Sequence, residues 1–175
     1  KNGRQRPHFI LNAAHTENLS GGKVLHMDVI DVKILEVLQE NSRVSISELS
    51  RKVNLSLSAV SERLKKLENS SIISKYTVIL DPKLLGKDLS VMISIGLEST
   101  SQTQAFLDFV ETEPEILECH YITGEYDYML KVTTTNTHTL EMIMNRIKSF
   151  HGIKRTQTNV ILSTTKQLHS VSPVL

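Results

Sequence analysis

Two hydrophobic periods follow one another along the chain. Up to about residue 70 the apolar positions recur every third or fourth residue, and from residue 89 runs of alternation take over. Ile30, Ile34, Leu35 and Leu38 fall at i, i+4, i+5 and i+8, the stripe of an amphipathic helix beginning at 28. A polar break at Asn41-Ser42-Arg43 follows. Ser45-Ile46-Ser47-Glu48 then has the form of a capping box, with Ser at the N-cap and Glu three positions on. The helix it opens carries Ile46, Leu49 and Val53 and stops at Asn54, a residue that tolerates the left-handed conformation helix ends need. Ser56 caps a third helix, with Val60, Leu64 and Leu67 on one face, which ends at Asn69-Ser70-Ser71. Ile72-Ile73 and Tyr76 to Leu80 read as β-structure, closed by the turn Asp81-Pro82.

The second period predicts strands over 89–97, 116–123, 128–134 and 156–162, and helices over 103–113 and 138–150. The order β-α-β-β-α-β is that of a ferredoxin-like split βαβ sandwich. The expected fold is therefore α+β: a helix-turn-helix over 27–75, a strand and linker over 76–88, and a ferredoxin-like domain over 89–175. Residues 1–26 show no sustained apolar face. Gly21-Gly22-Lys23 lies just before Met27, as a translated ribosome-binding sequence would, so 1–26 reads either as a translated leader or cloning artefact, or as a genuine short arm.

Charge sharpens the picture. The net charge of +1 hides an asymmetry: residues 27–80 carry eight basic and seven acidic groups, whereas 89–175 carry six basic and nine acidic. Between Arg51 and Lys75 there are six basic groups (Arg51, Lys52, Arg63, Lys65, Lys66, Lys75) against Glu62 and Glu68. The third helix has the residue types of a DNA-reading helix. Ser56, Ser58 and Ser61 near its start permit close approach to bases and phosphates. Glu62 lies beside them, Arg63 offers a fork for guanine, and Lys65 and Lys66 suit phosphates. The same composition also describes an ordinary solvated helix face.

Other chemistry is thin. A single cysteine, Cys119, excludes an intrachain disulfide and a multi-cysteine zinc site. None of the seven histidines forms a helical i, i+4 metal pair with a third ligand, and no phosphate-binding, dinucleotide-binding or nucleophile-elbow motif is present. No metal or cofactor is expected. No apolar run approaches the ~20 residues of a membrane helix, and none forms a secretory core, so a cytoplasmic location is expected.

The segments Ile30-Asp31-Val32-Lys33-Ile34-Leu35, Leu55 to Glu68, Ile72 to Tyr76 and Glu118 to Tyr128 stand in an order that resembles the Lrp/AsnC (feast/famine) transcriptional regulators, over about 145 residues from Met27 on. They resemble, in turn, the family's opening helix, recognition helix, wing and hinge, and the most distinctive segment of its ligand-binding RAM domain. Two departures are visible. Leu57 stands where the family often has Pro, and Ser71 where it commonly has Gly.

The resemblance implies a homodimer, assembled further into tetramers or octamers, that binds double-stranded DNA through paired recognition helices. A small effector, usually an amino acid, binds between RAM domains and alters assembly or DNA affinity. It maps the effector loop onto Gly124, Glu125, Tyr126, Asp127 and Tyr128. Gly124 allows a turn whose amides meet a carboxylate, and Asp127 holds an ammonium. Tyr121 and the strand around Thr158, Asn159 and Val160 line the side-chain end. A more distant likeness to siroheme decarboxylases suggests an enzyme as an alternative. A non-DNA-binding interaction module is another.

Overall fold

The computed structural model describes residues 27–174; the leader-or-arm question for residues 1–26 lies outside them. The chain forms two compact units. One runs to Thr77 and takes in the C-terminal residues from His169, and the other spans Val78–Leu168.

In the first unit, α1 (Val29–Glu40), α2 (Ile46–Val53) and α3 (Leu57–Asn69) enclose a core of Ile34, Leu35, Val37, Leu49, Val53, Val60, Leu64 and Leu67. Each helix begins where its cap dictates. Ser45 Oγ accepts from Glu48 N (3.1 Å) and Ser56 Oγ from Ala59 N (3.2 Å). The reciprocal capping box sits at α1 instead, where Asp28 and Asp31 bond each other's backbone N–H. Asn54 takes the left-handed conformation (φ 55°) that links α2 to α3. Gln39 Nε2 donates to Ser170 Oγ (2.9 Å) and to the Val171 carbonyl (2.7 Å), fastening the C-terminal residues to α1.

Ser71, at the end of α3, is also left-handed (φ 60°). Its amide donates to the Glu68 carbonyl, and the Ile73 amide to that of Leu67. A Cβ is costly in this conformation. Ser71→Gly is expected to stabilise the first unit by about 0.5–1 kcal/mol, net of the extra unfolded-state entropy of glycine. A higher urea midpoint for that unit, at unchanged slope, checks it.

The segment over 72–80 differs from expectation, because it forms no ladder. Apolar alternation equips a segment for a sheet, but a strand needs a partner backbone. Among the described residues of this chain none is offered. Val78, Ile79 and Leu80 are consequently exposed.

In the second unit, β1 (Leu89–Leu97), β2 (Ile116–Tyr121), β3 (Tyr128–Thr134) and β4 (Ile153–Val160) form one antiparallel sheet in the order β2-β3-β1-β4. Helices α4 (Thr103–Thr112) and α5 (Thr137–Ser149) cover one face through Phe106, Val110, Ile143 and Ile147, against Val91, Ile93, Ile95, Leu130 and Val132. This is the β-α-β-β-α-β order read from the sequence. Strand β4 starts at Ile153 rather than 156, and β2 stops at Tyr121. Arg146 on α5 grips Glu113, just past α4, with Nε at 2.9 and 3.0 Å and Nη2 at 2.6 Å, joining the two helices.

Candidate functional site

Two places have functional geometry. The first is the outer face of α3. With Val60, Leu64 and Leu67 buried, Ser58, Ser61, Glu62 and Lys65 share the opposite stripe at i, i+3, i+4 and i+7. Ser58, Glu62 and Lys65 are exposed and Ser61 is half-buried. Ser56 belongs to the helix rather than to its outer face: its hydroxyl is spent on the cap and lies 3.1 Å from Ser58 Oγ.

Arg63 departs most from expectation. It lies three residues after Val60 and four before Leu67, at the edge of the buried face. Its Nη1 donates to Asp31 Oδ1 and to Asp28 Oδ2, both at 2.7 Å. The Asp31 side chain is fully buried, and Lys66 Nζ stands 3.6 Å from its Oδ2. The Asp31 amide and the Arg63 guanidinium hold the Asp28 carboxyl below the usual carboxylate range. Asp28 and then Asp31 raise Arg63 above its ordinary value. The guanidinium expected to read guanine thus fastens α3 to the start of α1. Beyond α3, Tyr76 Oη donates to Glu68 Oε1 (3.0 Å), and burial and that carboxylate push the phenol up.

The second place is a cleft of about 460 Å³ at the end of β1. Leu97, Glu98, Ser99 and Thr100 form one wall, Thr103 of α4 the back, and Tyr121, Asp127 and Tyr128 the other wall. The loop between β2 and β3 turns at Gly124 (φ 123°), a conformation L-residues rarely adopt. It is then pinned on both sides. The Asp127 amide donates to the Ile95 carbonyl (2.9 Å), the Leu97 amide donates to Asp127 Oδ2 (2.7 Å), and the Ile122 amide donates to the Asp127 carbonyl (2.9 Å). From β4, Arg155 donates to Glu125 Oε1 (2.8 Å) and to the Glu125 carbonyl, with its guanidinium carbon 4.8 Å from the centre of the Tyr126 ring. Burial pushes the Tyr128 phenol up, offset by a hydrogen bond with Thr103.

Three of the residues expected at an effector cleft (Tyr121, Asp127 and Tyr128) therefore meet there. Gly124, Glu125 and Tyr126 shape the loop without lining the cavity. Thr158, Asn159 and Val160 lie elsewhere. The antiparallel register sets them opposite Ile93, Met92 and Val91, four to six residues or ~13–20 Å along β1 from Leu97. Thr158 instead donates to Met144 Sδ (3.4 Å).

The other wall, Glu98 to Thr103, was missed. The sole signal for it was the hydroxyl run Ser99-Thr100-Ser101 at a strand's end. Cys119 is half-buried, and burial, aided by Glu111, pushes its thiol up to about 11, against reactivity near neutral pH. Among the described residues no group of His, Cys, Asp and Glu could hold a metal ion, and no helix is long and apolar enough to cross a membrane.

Comparison with known proteins bears on both places. Residues 27–74 match the family described as winged helix-turn-helix DNA-binding, and residues 90–171 the one described as Lrp/AsnC ligand binding domain. The HTH-type transcriptional regulator FL11 of Pyrococcus furiosus is 32% identical over 141 residues, 81% of this chain and 93% of that protein. The leucine-responsive regulatory protein of Haemophilus influenzae is 34% identical, covering 81% of this chain and 87% of its own. Among solved structures, the transcriptional regulator NMB0573 of Neisseria meningitidis, in complex with L-Met, superposes with a TM-score of 0.80 at 33% identity. That match covers 83% of this chain and 96% of the other.

Proposed function

Since the chain belongs to the Lrp/AsnC family of DNA-binding transcriptional regulators, with a ligand-binding domain after its helix-turn-helix, we propose that it is a sequence-specific regulator whose DNA affinity or assembly answers to an amino acid. The observation that carries this reading is the polar stripe of α3. Ser58, Ser61, Glu62 and Lys65 face away from the core on a helix whose other side is fully committed to packing. Such a helix fits the major groove, with Ser58, Ser61 and Glu62 toward base edges and Lys65 and Lys66 toward phosphates.

The cleft at the end of β1 is the effector site in this reading. Asp127 meets the ammonium, and Tyr121 and Tyr128 meet the side chain. The L-Met bound to the Neisseria relative supports an amino acid as the ligand class. The protein acts as a homo-oligomer. Support comes from the exposed, unpaired apolar segment Val78-Ile79-Leu80 and from the sheet face that the helices leave open, which carries Met92 and Met129.

The test is fluorescence anisotropy with DNA from upstream of the protein's own gene, at two salt concentrations, with and without mixed amino acids. Tight, salt-sensitive binding that random DNA does not match is expected, shifting when amino acids are added. Lys65→Ala is expected to weaken operator and random DNA alike and to lower the salt slope by about 1. Equal affinity of the unaltered protein for operator and random sequences overturns sequence specificity.

A further inference from the structure

We propose that the cleft selects an amino acid with a second positive charge on its side chain, such as lysine or arginine, and that Glu98 determines this selectivity. The inference rests on the effector reading of the cleft given above and adds the class of ligand.

The walls of this cavity are charged in one sense only. Asp127 and Glu98 both line it, and no Lys, Arg or His does. The two carboxylates are held differently. Asp127 has one oxygen committed to the Leu97 amide at 2.7 Å, so its position is fixed. Glu98 follows directly in the chain, its backbone anchored by donation from its amide to the Gly152 carbonyl (2.8 Å). Its side chain makes no ion pair and no hydrogen bond among the described residues. Of the cations on the same sheet, Arg155 is engaged with Glu125 and Lys131 with Glu118 at 2.7 Å, and Lys154 of β4 does not line the cleft. Two acidic side chains thus line a concave site that no cation among the described residues lines.

Ligand chemistry follows from this. One ammonium, the α-amino group common to all amino acids, answers Asp127. Glu98 remains; it is exposed, so a neutral side chain leaves it to water, whereas a cationic one gains an ion pair with it. A side-chain ammonium or guanidinium supplies the partner. The hydroxyls of Ser99 and Thr100 lie on the same wall, and the exposed ring of Tyr121 adds an aromatic surface of the kind that attracts cations. The volume, about 460 Å³, suits a single long side chain.

Calorimetry on the full chain with L-lysine, L-arginine and L-norleucine tests this, since norleucine has lysine's carbon chain without its ammonium. Lysine or arginine is expected to bind about fivefold more tightly than norleucine. In Glu98→Gln that ratio is expected to fall toward one. Norleucine binding as tightly as both cationic amino acids, or a preference that survives Glu98→Gln, overturns the charge selectivity and leaves the effector reading standing. Absence of binding by all three, with a response to mixed amino acids, overturns the selectivity alone; absence of both overturns the effector reading as well.

Discussion

Asp31→Ala is expected to lower the stability of the DNA-binding unit by about 2–3 kcal/mol, with little effect on the unfolding of the sheet domain. The basis is the ion cluster beneath α3. Asp31 is fully buried and receives the Arg63 guanidinium at 2.7 Å and the Asp28 amide at 3.2 Å, with Lys66 close by. Removing one member of a buried pair costs 3–5 kcal/mol as an order of magnitude, because the other is left uncompensated. Arg63 keeps about a quarter of its side-chain exposure (27%), so water recovers part of that cost.

Arg63→Met is expected to cost more, about 3–4 kcal/mol, since the carboxylate it abandons has no access to solvent. Combined with Asp31→Leu it is expected to recover most of the loss, the two changes being coupled. For a unit of this size the single losses correspond to about 10–20 °C in melting temperature. Calorimetric melting of the full chain resolves the two transitions. A first transition unmoved by Asp31→Ala refutes the clamp.

The sign of the pH effect follows from Asp28. Its carboxyl is depressed in the folded state, so the stability it contributes is complete above its unfolded pKa of about 4. That stability drains away as pH falls through the lower folded value. For DNA, a clamp and a base contact make opposite forecasts at temperatures where Arg63→Met stays folded. The clamp leaves the ratio of operator to random affinity unchanged, and a bidentate guanine contact loses about 1–3 kcal/mol of it.

Arg63 also shows where sequence and structure part. Its spacing from Val60 and Leu67 put it at the edge of the buried face, and that was legible. Its chemistry suggested an exposed reader, because nothing local announced that Asp28 and Asp31, some thirty residues earlier, would fold against it. Elements announced by their own spacing and end residues were readable: three helices from apolar spacing, Ser45, Asn54 and Ser56 at helix ends, and β1 and β3 to the residue. Strand β4 was read three residues late because Lys154 and Arg155 mask its start. The aliphatic stem of Arg155 lies over Gly96, where a Cβ would come within 2.8 Å of it. The segment 76–80 carried a strand's pattern without a partner among the described residues. The cleft was half legible: the Gly124–Asp127 turn stands out in any sequence, whereas the Glu98–Thr103 wall becomes a site only when β1 and β3 pair.

Asp127 is where the two halves of that cleft meet, and the second large effect is expected there. Asp127→Ala is expected to weaken amino-acid binding by about a hundredfold, and Asp127→Asn by about tenfold. The carboxylate does two things at once. Oδ2 accepts from the Leu97 amide and so holds the end of β1 against the loop, and the charge faces the cleft. Asparagine keeps an acceptor for the Leu97 amide and loses only the charge. A charge-assisted hydrogen bond exceeds a neutral one by about 1–1.5 kcal/mol, or roughly tenfold in affinity. Alanine also releases the Leu97 amide, which then lacks a partner in a half-enclosed site, and loosens the end of β1 against the loop; that adds a comparable factor.

The β3 core behind it is untouched, and the loop remains tied through the Asp127 amide and through Arg155. Melting of the sheet domain is therefore expected to shift by only a few degrees, and DNA binding without amino acid to stay within twofold. Calorimetry of both variants against the tightest-binding amino acid checks the order. Equal losses in Asn and Ala would mean that Asp127 acts by charge alone. Unchanged affinity in both would remove it from the site. Tight binding in Asn with loss only in Ala would make the Leu97 clip, rather than the ammonium, its contribution.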